Sequence, residues 1–260
     1  MNNMTSLESI LAAKKRPFFM AHLVAGFPNF PTSEKVGRAM LENGADILEV
    51  QIPFSDPMAD GPSIATACTE ALAKGASVKK TLSLVSTLSK KGGTIVIMSY
   101  INPVFRYGIA EFVNDAAKAG AQGLIVPDAP FDSPEGIELL KETRRQGLAL
   151  IPVISPGVPK ARLKKLAGEA SGFVYCTSRQ GITGANSKFA RTLTDYVGMA
   201  KKEFGVPFGL GFGVRTKADF KSAAKLADIV IAGSVFVDAI RKAATGMAPS
   251  AVKKALAKLQ

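Results

Sequence analysis

The stretch GADILEVQIPFSDPMADGP, residues 44–62, holds one complete strand-and-loop unit. Gly44 is the type of residue that ends a helix, and the apolar run Ile47–Gln51 after it predicts a short strand. Residues 52–62 are too many for a plain turn, and their Gly61-Pro62 end is typical of the start of a helix. The stretch therefore predicts a strand, a long loop and a helix, in that order.

The same alternation of short apolar runs and amphipathic stretches extends along the whole chain. Eight runs predict strands, at residues 18–24, 47–51, 94–100, 123–126, 149–153, 172–176, 207–210 and 228–232. Helix candidates between them include residues 32–42, 109–119, 134–146 and 216–225. Repeated strand–helix units of this number in 260 residues predict an α/β fold, a (β/α)8 TIM barrel. Counting strands leaves a doubly wound sheet open as the alternative.

Composition limits the class of protein. With 47% hydrophobic residues and no linker-like segment, residues 1–260 are expected to form a single domain. No apolar run approaches the roughly 18 residues that a membrane-spanning helix needs. Glu8 and His22 interrupt the charge and apolar patterns of a signal peptide at the start of the chain. Two cysteines, Cys68 and Cys176, fit no ligand spacing and are typical of a reducing cytoplasm.

The chain is basic, with 33 Lys and Arg against 21 Asp and Glu, a formal charge of +12. The basic residues come mostly as doublets in segments of helical periodicity, without interleaved aromatic side chains. Solvated helix faces explain them better than a nucleic-acid surface does. A basic surface still favours an anionic substrate.

Glu49 is the first candidate for chemistry. Alternation within Ile47–Gln51 places Leu48 and Val50 on one face of the strand and Glu49 on the other, toward the barrel interior. Burial favours the protonated form of a carboxyl, which suits a group that exchanges protons near neutral pH. A structural glutamate in a salt bridge is the alternative.

Glycines near the end of the chain indicate a phosphate site. Gly211 and Gly213 follow the seventh predicted strand, and Gly233-Ser234 follows the eighth and opens an apolar helix. Barrels hold phosphate between these two loops and a helix N-terminus, where backbone N–H groups and the helix dipole meet the anion. Tight packing is the simpler explanation of the same glycines.

The remaining candidates are open to two interpretations each. Asp60 is either a functional carboxylate or an ordinary turn residue, and Tyr175 either positions a substrate or fills the core. His22, the one histidine, lies in an apolar strand and is expected to be a core residue. Residues 178–184, with two glycines, fit a mobile lid or an ordinary surface loop. With one histidine and unclustered cysteines, no metal site is predicted.

These motifs together resemble one family, the alpha subunit of tryptophan synthase. The resemblance covers nearly the whole chain and is most specific over residues 55–62. It is carried by residues 25–28, Glu49, 53–57, 59–62, Tyr100, 102–103, 126–128, 181–184, 211–213 and 233–234.

The resemblance implies a lyase that cleaves indole-3-glycerol phosphate to indole and glyceraldehyde 3-phosphate, a retro-aldol step of tryptophan biosynthesis without a metal or organic cofactor in this chain. It implies that Glu49 protonates the indole ring carbon and helps to deprotonate the glycerol hydroxyl, that Asp60 holds the indole N–H, and that Tyr175 belongs to the active site. It also implies that Thr183 contacts Asp60. The phosphate would be held by Gly184, Gly211, Gly213, Gly233 and Ser234.

The same resemblance implies a partner, a beta subunit that carries pyridoxal phosphate and receives the indole, in an α2β2 heterotetramer. The contact would be made by Pro53, Phe54, Asp56 and the region after Asp128.

Three features depart from the family pattern. Gln51 replaces a common glycine, His22 replaces an aromatic or aliphatic residue, and residues 129–132 differ from the usual Leu-Pro and acidic sequence. The first two changes leave open a non-catalytic activator of a beta subunit, and the third leaves open a free-standing lyase. Another phosphate-binding barrel isomerase is a remote alternative, because it would not share residues 55–62.

Overall fold

The computed structural model describes residues 5–13, 17–177, 188–211 and 213–260. Nine parallel strands lie in these ranges: β1 (Phe18–Val24), β2 (Ile47–Gln51), β3 (Ile95–Met98), β4 (Gly123–Ile125), β5 (Ala149–Ile151), β6 (Val153–Ile154), β7 (Val174–Thr177), β8 (Phe208–Gly211) and β9 (Ile229–Ala232). They form one sheet in the order β5-β4-β3-β2-β1-β9-β8-β7-β6.

The sheet closes on itself at Pro152. Strands β5 and β6 stand at the two ends of the strand order, yet Pro152 alone separates them in the chain. The predicted TIM barrel is therefore confirmed, with one correction: the run predicted at residues 149–153 is two short strands. Proline has no N–H to give to a ladder, so it interrupts the strand. Its carbonyl still accepts a hydrogen bond from the backbone N of Tyr175, at 2.9 Å.

Helices cover the outside of the barrel. Those in the described ranges are α1 (Ser6–Ala12), α2 (Phe30–Glu42), α3 (Pro62–Ala73), α4 (Val78–Ser89), α5 (Ile101–Tyr107), α6 (Ile109–Lys118), α7 (Pro134–Gln146), α8 (Lys160–Ala167), α9 (Lys188–Glu203), α10 (Lys217–Leu226), α11 (Ser234–Lys242) and α12 (Ala248–Leu259). The four helices predicted from the sequence agree with α2, α6, α7 and α10 to within two residues. No helix in the described part of the chain is long and apolar enough to cross a membrane.

The strands separate two apolar layers. Leu48 and Val50 belong to the outer cluster, in which the strands pack against the helices. Ile47 belongs to the inner cluster, which fills the barrel with side chains such as Met20 and Ile231. The predicted alternation along β2 is confirmed, and it directs Glu49 toward the interior.

Helix α1 closes the N-terminal end of the barrel. Leu7 and Leu11 are buried in the inner cluster beneath the strands. Glu8 anchors the helix, since its Oε1 accepts a hydrogen bond from the backbone N of Gly172 at 3.1 Å. The opposite end, where the strands finish, is therefore the end that a substrate can enter.

Candidate active site

Glu49 lies at the inner wall of the barrel beside the one histidine of the chain. Strands β1 and β2 pair so that His22 stands opposite Glu49. Nδ1 of His22 is 3.1 Å from Oε2 of Glu49, and the two residues are 5% and 3% exposed. The two atoms are at ion-pair distance, and Nε2 of His22 has no hydrogen-bond partner among the described residues.

Asp60 is held in place by the ends of two strands. Its Oδ2 accepts hydrogen bonds from Nε2 of Gln51, at 2.6 Å, and from the hydroxyl of Tyr100, at 3.0 Å. The hydroxyl oxygen of Tyr100 also accepts from the backbone N of Ala59, at 3.0 Å. The loop after β2 is thus tied to the ends of β2 and β3, which brings the Asp60 carboxyl over the barrel mouth.

The two carboxyls, His22 and Tyr175 influence one another electrostatically. Burial raises the pKa of Asp60 above the ordinary value, while the charge of His22 and hydrogen bonds from Gln51 and Tyr100 oppose the rise, and the charge of Glu49 adds to it. Burial, followed by the charges of Glu49 and Asp60, raises the pKa of Tyr175 well above its ordinary value. The structure therefore brings the three predicted catalytic residues, Glu49, Asp60 and Tyr175, to one place, and keeps the Tyr175 hydroxyl neutral.

The predicted phosphate residues that the structure describes, Gly211, Gly213, Gly233 and Ser234, lie at the ends of the neighbouring strands β8 and β9. Gly233 precedes α11 and Ser234 is its first residue, so the helix N-terminus, with N–H groups that no helical carbonyl satisfies, lies at the end of β9. Gly213 has a φ of +60°, a conformation that favours glycine. Gly211 leaves room for Tyr175: a Cβ there would lie 2.7 Å from Cε2 of the ring. Gly211 therefore has a packing role whatever it binds.

A cation stands beside this helix end. Nη1 of Arg215 donates to Oγ of Ser234 at 3.2 Å, and its Nη2 is paired with the carboxylate of Asp238. Arg215 is exposed. It adds positive charge where the glycines and the helix N-terminus favour an anion.

The four residues predicted to meet a partner differ in exposure. Asp56 and Asp128 are exposed, Phe54 is half-buried against the ring of Tyr100, and Pro53 is buried. Asp128 also accepts a hydrogen bond from the backbone N of Ile101 through Oδ1, at 2.9 Å. Pro53 can therefore shape this surface but does not expose a side chain on it in the isolated chain.

Two predicted site residues, Thr183 and Gly184, lie outside the described residues, as does the rest of the loop at residues 178–187. In the described ranges, no group of three or more His, Cys, Asp or Glu side chains is placed to hold a metal ion. Burial raises the pKa of the Cys68 and Cys176 thiols to about 12, which makes both poor nucleophiles at neutral pH.

Three residues at the barrel mouth are not among the site residues predicted from the sequence. His22, expected in the core, is buried but faces Glu49. The sequence indicates Tyr100 only as part of a motif, and no local pattern marks Arg215. Period-two alternation along β1 puts His22 on the same face as Met20, and this pattern could have predicted that His22 points into the barrel. Its pairing with Glu49 required the strand register.

Comparison with known proteins agrees with this geometry. The family model for the tryptophan synthase alpha chain matches residues 9–260. The alpha chain of Desulfosudis oleivorans is 40% identical over 237 residues, covering 91% of this chain and 89% of the relative. That of Desulfotalea psychrophila is 39% identical over 234 residues, covering 88% and 91%.

A solved structure of Mycobacterium tuberculosis tryptophan synthase has a chain that superimposes with a TM-score of 0.89 at 34% identity, covering 99% of this chain and 97% of that one. The chain therefore belongs to the tryptophan synthase alpha chain family, lyases that act on indole-3-glycerol phosphate in tryptophan biosynthesis.

Proposed function

We propose that the mouth of this barrel cleaves indole-3-glycerol phosphate, with Glu49 as the proton donor and acceptor and Asp60 as the group that holds the indole N–H. The observation that carries the proposal is the pair of carboxyls at the mouth, one buried on β2 and one fixed above it by Gln51 and Tyr100. Two carboxyls in different surroundings can take different roles in one reaction.

The proposed reaction needs one proton-exchanging group. Glu49 gives a proton to the ring carbon that bears the glycerol chain, and the ring becomes cationic. The carboxylate so formed takes the proton of the neighbouring glycerol hydroxyl. The carbon–carbon bond breaks, its electron pair returns to the ring, and the hydroxyl carbon becomes the aldehyde. Glu49 ends with the proton it began with, so the cycle balances.

Asp60 is suited to stabilise the cationic ring. Its carboxyl is held on one oxygen by Gln51 and Tyr100, which leaves Oδ1 for the indole N–H. A fixed carboxylate over developing positive charge stabilises a transition state without reorganising, and groups of this kind contribute about 3–4 kcal/mol. We propose that Tyr175, neutral and half-buried, positions the substrate beside Glu49.

The phosphate would lie at the N-terminus of α11. Gly213, Gly233 and Ser234 supply backbone groups, Arg215 supplies charge, and Gly211 keeps the Tyr175 ring close. Thr183 and Gly184, which lie outside the described residues, are further proposed contacts of the substrate, implied by the family resemblance.

We further propose a beta subunit as the partner, in an α2β2 heterotetramer, with pyridoxal phosphate in the beta subunit and none of its chemistry in this chain. Two large apolar side chains support a docking surface on the mouth side: Met58, in the loop after β2, is 83% exposed, and Phe105, on α5 after β3, is 65% exposed. Together with Phe54, Asp56 and Asp128 they define the proposed interface. A cytoplasmic location and one barrel domain over residues 1–260 complete the proposal.

The test is an assay of the purified chain with indole-3-glycerol phosphate, with and without a beta subunit, following glyceraldehyde 3-phosphate through a coupled dehydrogenase. Product that rises strongly with the partner is the expected result. Comparable product without it would favour a free-standing lyase.

Absence of product in both arms would reject the proposed reaction. If the chain then still stimulated a beta subunit on serine and indole, the activator function would replace it, an alternative that the unusual His22 and Gln51 beside the two carboxyls favour.

A further inference from the structure

The two residues that depart from the family pattern stand next to the two candidate catalytic carboxyls. His22 contacts Glu49, with Nδ1 3.1 Å from Oε2. Gln51 donates to Asp60, with Nε2 2.6 Å from Oδ2. The four side chains come from two neighbouring strands and the loop that follows, so they form one connected polar cluster in an otherwise apolar barrel.

The imidazole is fixed between β2 and the start of α11. His22 stands opposite Glu49 in the β1–β2 register, and a Cβ at Gly233 would lie 3.2 Å from Cβ of His22. His22 is 5% exposed. The register of the backbone therefore brings the two side chains together, and burial limits the room in which the imidazole can turn.

In the described part of the chain, the charged groups that raise the pKa of His22 are Glu49 on β2 and Asp60 in the loop after it. Tyr175 on β7 is influenced by the same two carboxyls, and Tyr100 after β3 bonds to Asp60. The buried His22 therefore lies within electrostatic reach of two carboxyls, the buried Glu49 and the half-buried Asp60.

We propose that His22 is a positioning residue for the lyase reaction: it orients the Glu49 carboxyl toward the substrate and shares with it the proton that the reaction uses. The inference rests on the proposed function of Glu49. Before the reaction the pair holds one proton. That proton passes through Glu49 to the ring carbon, and the proton of the glycerol hydroxyl returns to Glu49, so that the pair is restored.

Physical chemistry accounts for a proton held between His22 and Glu49. An isolated charge in a barrel interior is costly, and a partner at contact distance offsets that cost. Burial, the largest influence, lowers the pKa of His22, but the charge and hydrogen bonding of Glu49 and the charge of Asp60 outweigh it, so the pKa of His22 is raised. The imidazole therefore keeps a proton in the pH range in which the free side chain would lose it.

Because the chain has one histidine, its imidazole gives a single, unambiguous NMR signal. The first test is a pH titration of ¹⁵N-histidine-labelled full-length chain, wild type against Glu49→Gln. Loss of the carboxylate is expected to lower the pKa of His22 by about 1–3 units, the effect of an opposite charge at close range. A titration that is the same in both proteins would overturn the inference, and this readout does not depend on activity.

The second test is the pH dependence of kcat in His22→Phe and His22→Gln, with Met20→Leu as the control from the same inner face of β1. In both His22 variants the proton that the reaction uses is carried by Glu49 alone. A carboxyl ordinarily releases its proton at lower pH than an imidazole does. We expect the alkaline limb of kcat to move to lower pH by about one unit or more. His22→Gln should retain more activity than His22→Phe, because its amide can still bond to Glu49.

An alkaline limb that stays in place or moves to higher pH in both variants would overturn the inference while leaving the proposed function intact. Wild-type chain without lyase activity would instead reject the proposed function, and the NMR titration would still decide whether the pair exists. Circular dichroism and Met20→Leu separate a folding defect from an effect on the site, and His22→Gln keeps the test open if His22→Phe fails to fold.

Discussion

The two ends of the barrel are built from the same strands and are chemically opposite. The N-terminal end is apolar, with Leu7 and Leu11 of α1 buried against Phe18 and Phe173. The C-terminal end has, on the same inward-facing rows, the polar side chains His22, Glu49 and Gln51. The N-terminal end therefore stabilises the fold by burying apolar side chains, and the C-terminal end has the groups that can react. In this fold, whether a residue stabilises the barrel or belongs to the candidate site depends more on its position along a strand than on which strand it is in.

The largest expected effect is at the polar end. Glu49→Gln should lower kcat by at least about 10²–10⁴-fold, the range that general acid–base catalysis supplies, because an amide cannot exchange the proton. The coupled assay measures this. Glu142→Gln is the matched control, since Glu142 is also buried and is paired with Arg145 on α7. Equal loss in the two variants would mean that the effect is structural.

At the apolar end, Leu7→Ala should reduce the free energy of unfolding by about 2–5 kcal/mol, through lost burial and the cavity left behind. Denaturant titration measures the change. The kcat per folded molecule should stay the same, because Leu7 is at the far end from Glu49. A marked fall in kcat at unchanged stability would contradict the idea that the N-terminal end serves stability alone.

A smaller effect is expected for Tyr100→Phe, which removes the hydroxyl that bonds to Asp60 and accepts from Ala59. A hydrogen bond to a charged group contributes about 1.5–3 kcal/mol, so kcat/KM should fall roughly 10-fold to 100-fold. Tyr107→Phe is the control, because its hydroxyl bonds to Asp115 at 2.7 Å on the outer helices. Similar kcat/KM values for the two variants would remove Asp60 from the proposed mechanism.

The smallest effect is expected at the phosphate end. Arg215→Gln should raise KM about two- to five-fold with little change in kcat, because an exposed charge beside an anion contributes about 1 kcal/mol at most. The rise should shrink at high salt, since ions screen exposed charges. Arg162→Gln, which breaks an exposed pair with Asp132, is the control. A KM that is unaffected at low salt would place the phosphate elsewhere.

Local patterns predicted much of the fold. The strand β2 and the helix α7 have the predicted bounds, because alternation and helical periodicity depend on neighbours in sequence. The break at Pro152 was missed, although proline in a strand run argues against an uninterrupted strand. For the site, the inward direction of Glu49 followed from alternation alone. The bond between Gln51 and Asp60 did not, since it depends on how the loop after β2 folds back.

Patterns local in the sequence are enough to predict the repeating strand–helix units, the inward direction of Glu49 and, through its motifs, the family. These depend on residues close together in the chain or on an inherited pattern. The contact of His22 with Glu49 and the hydrogen bonds from Tyr100 and Gln51 to Asp60 exist only in the folded barrel. They could not be predicted because neighbouring strands and their register are set by packing of the whole barrel, and one step of register would turn His22 to the opposite face.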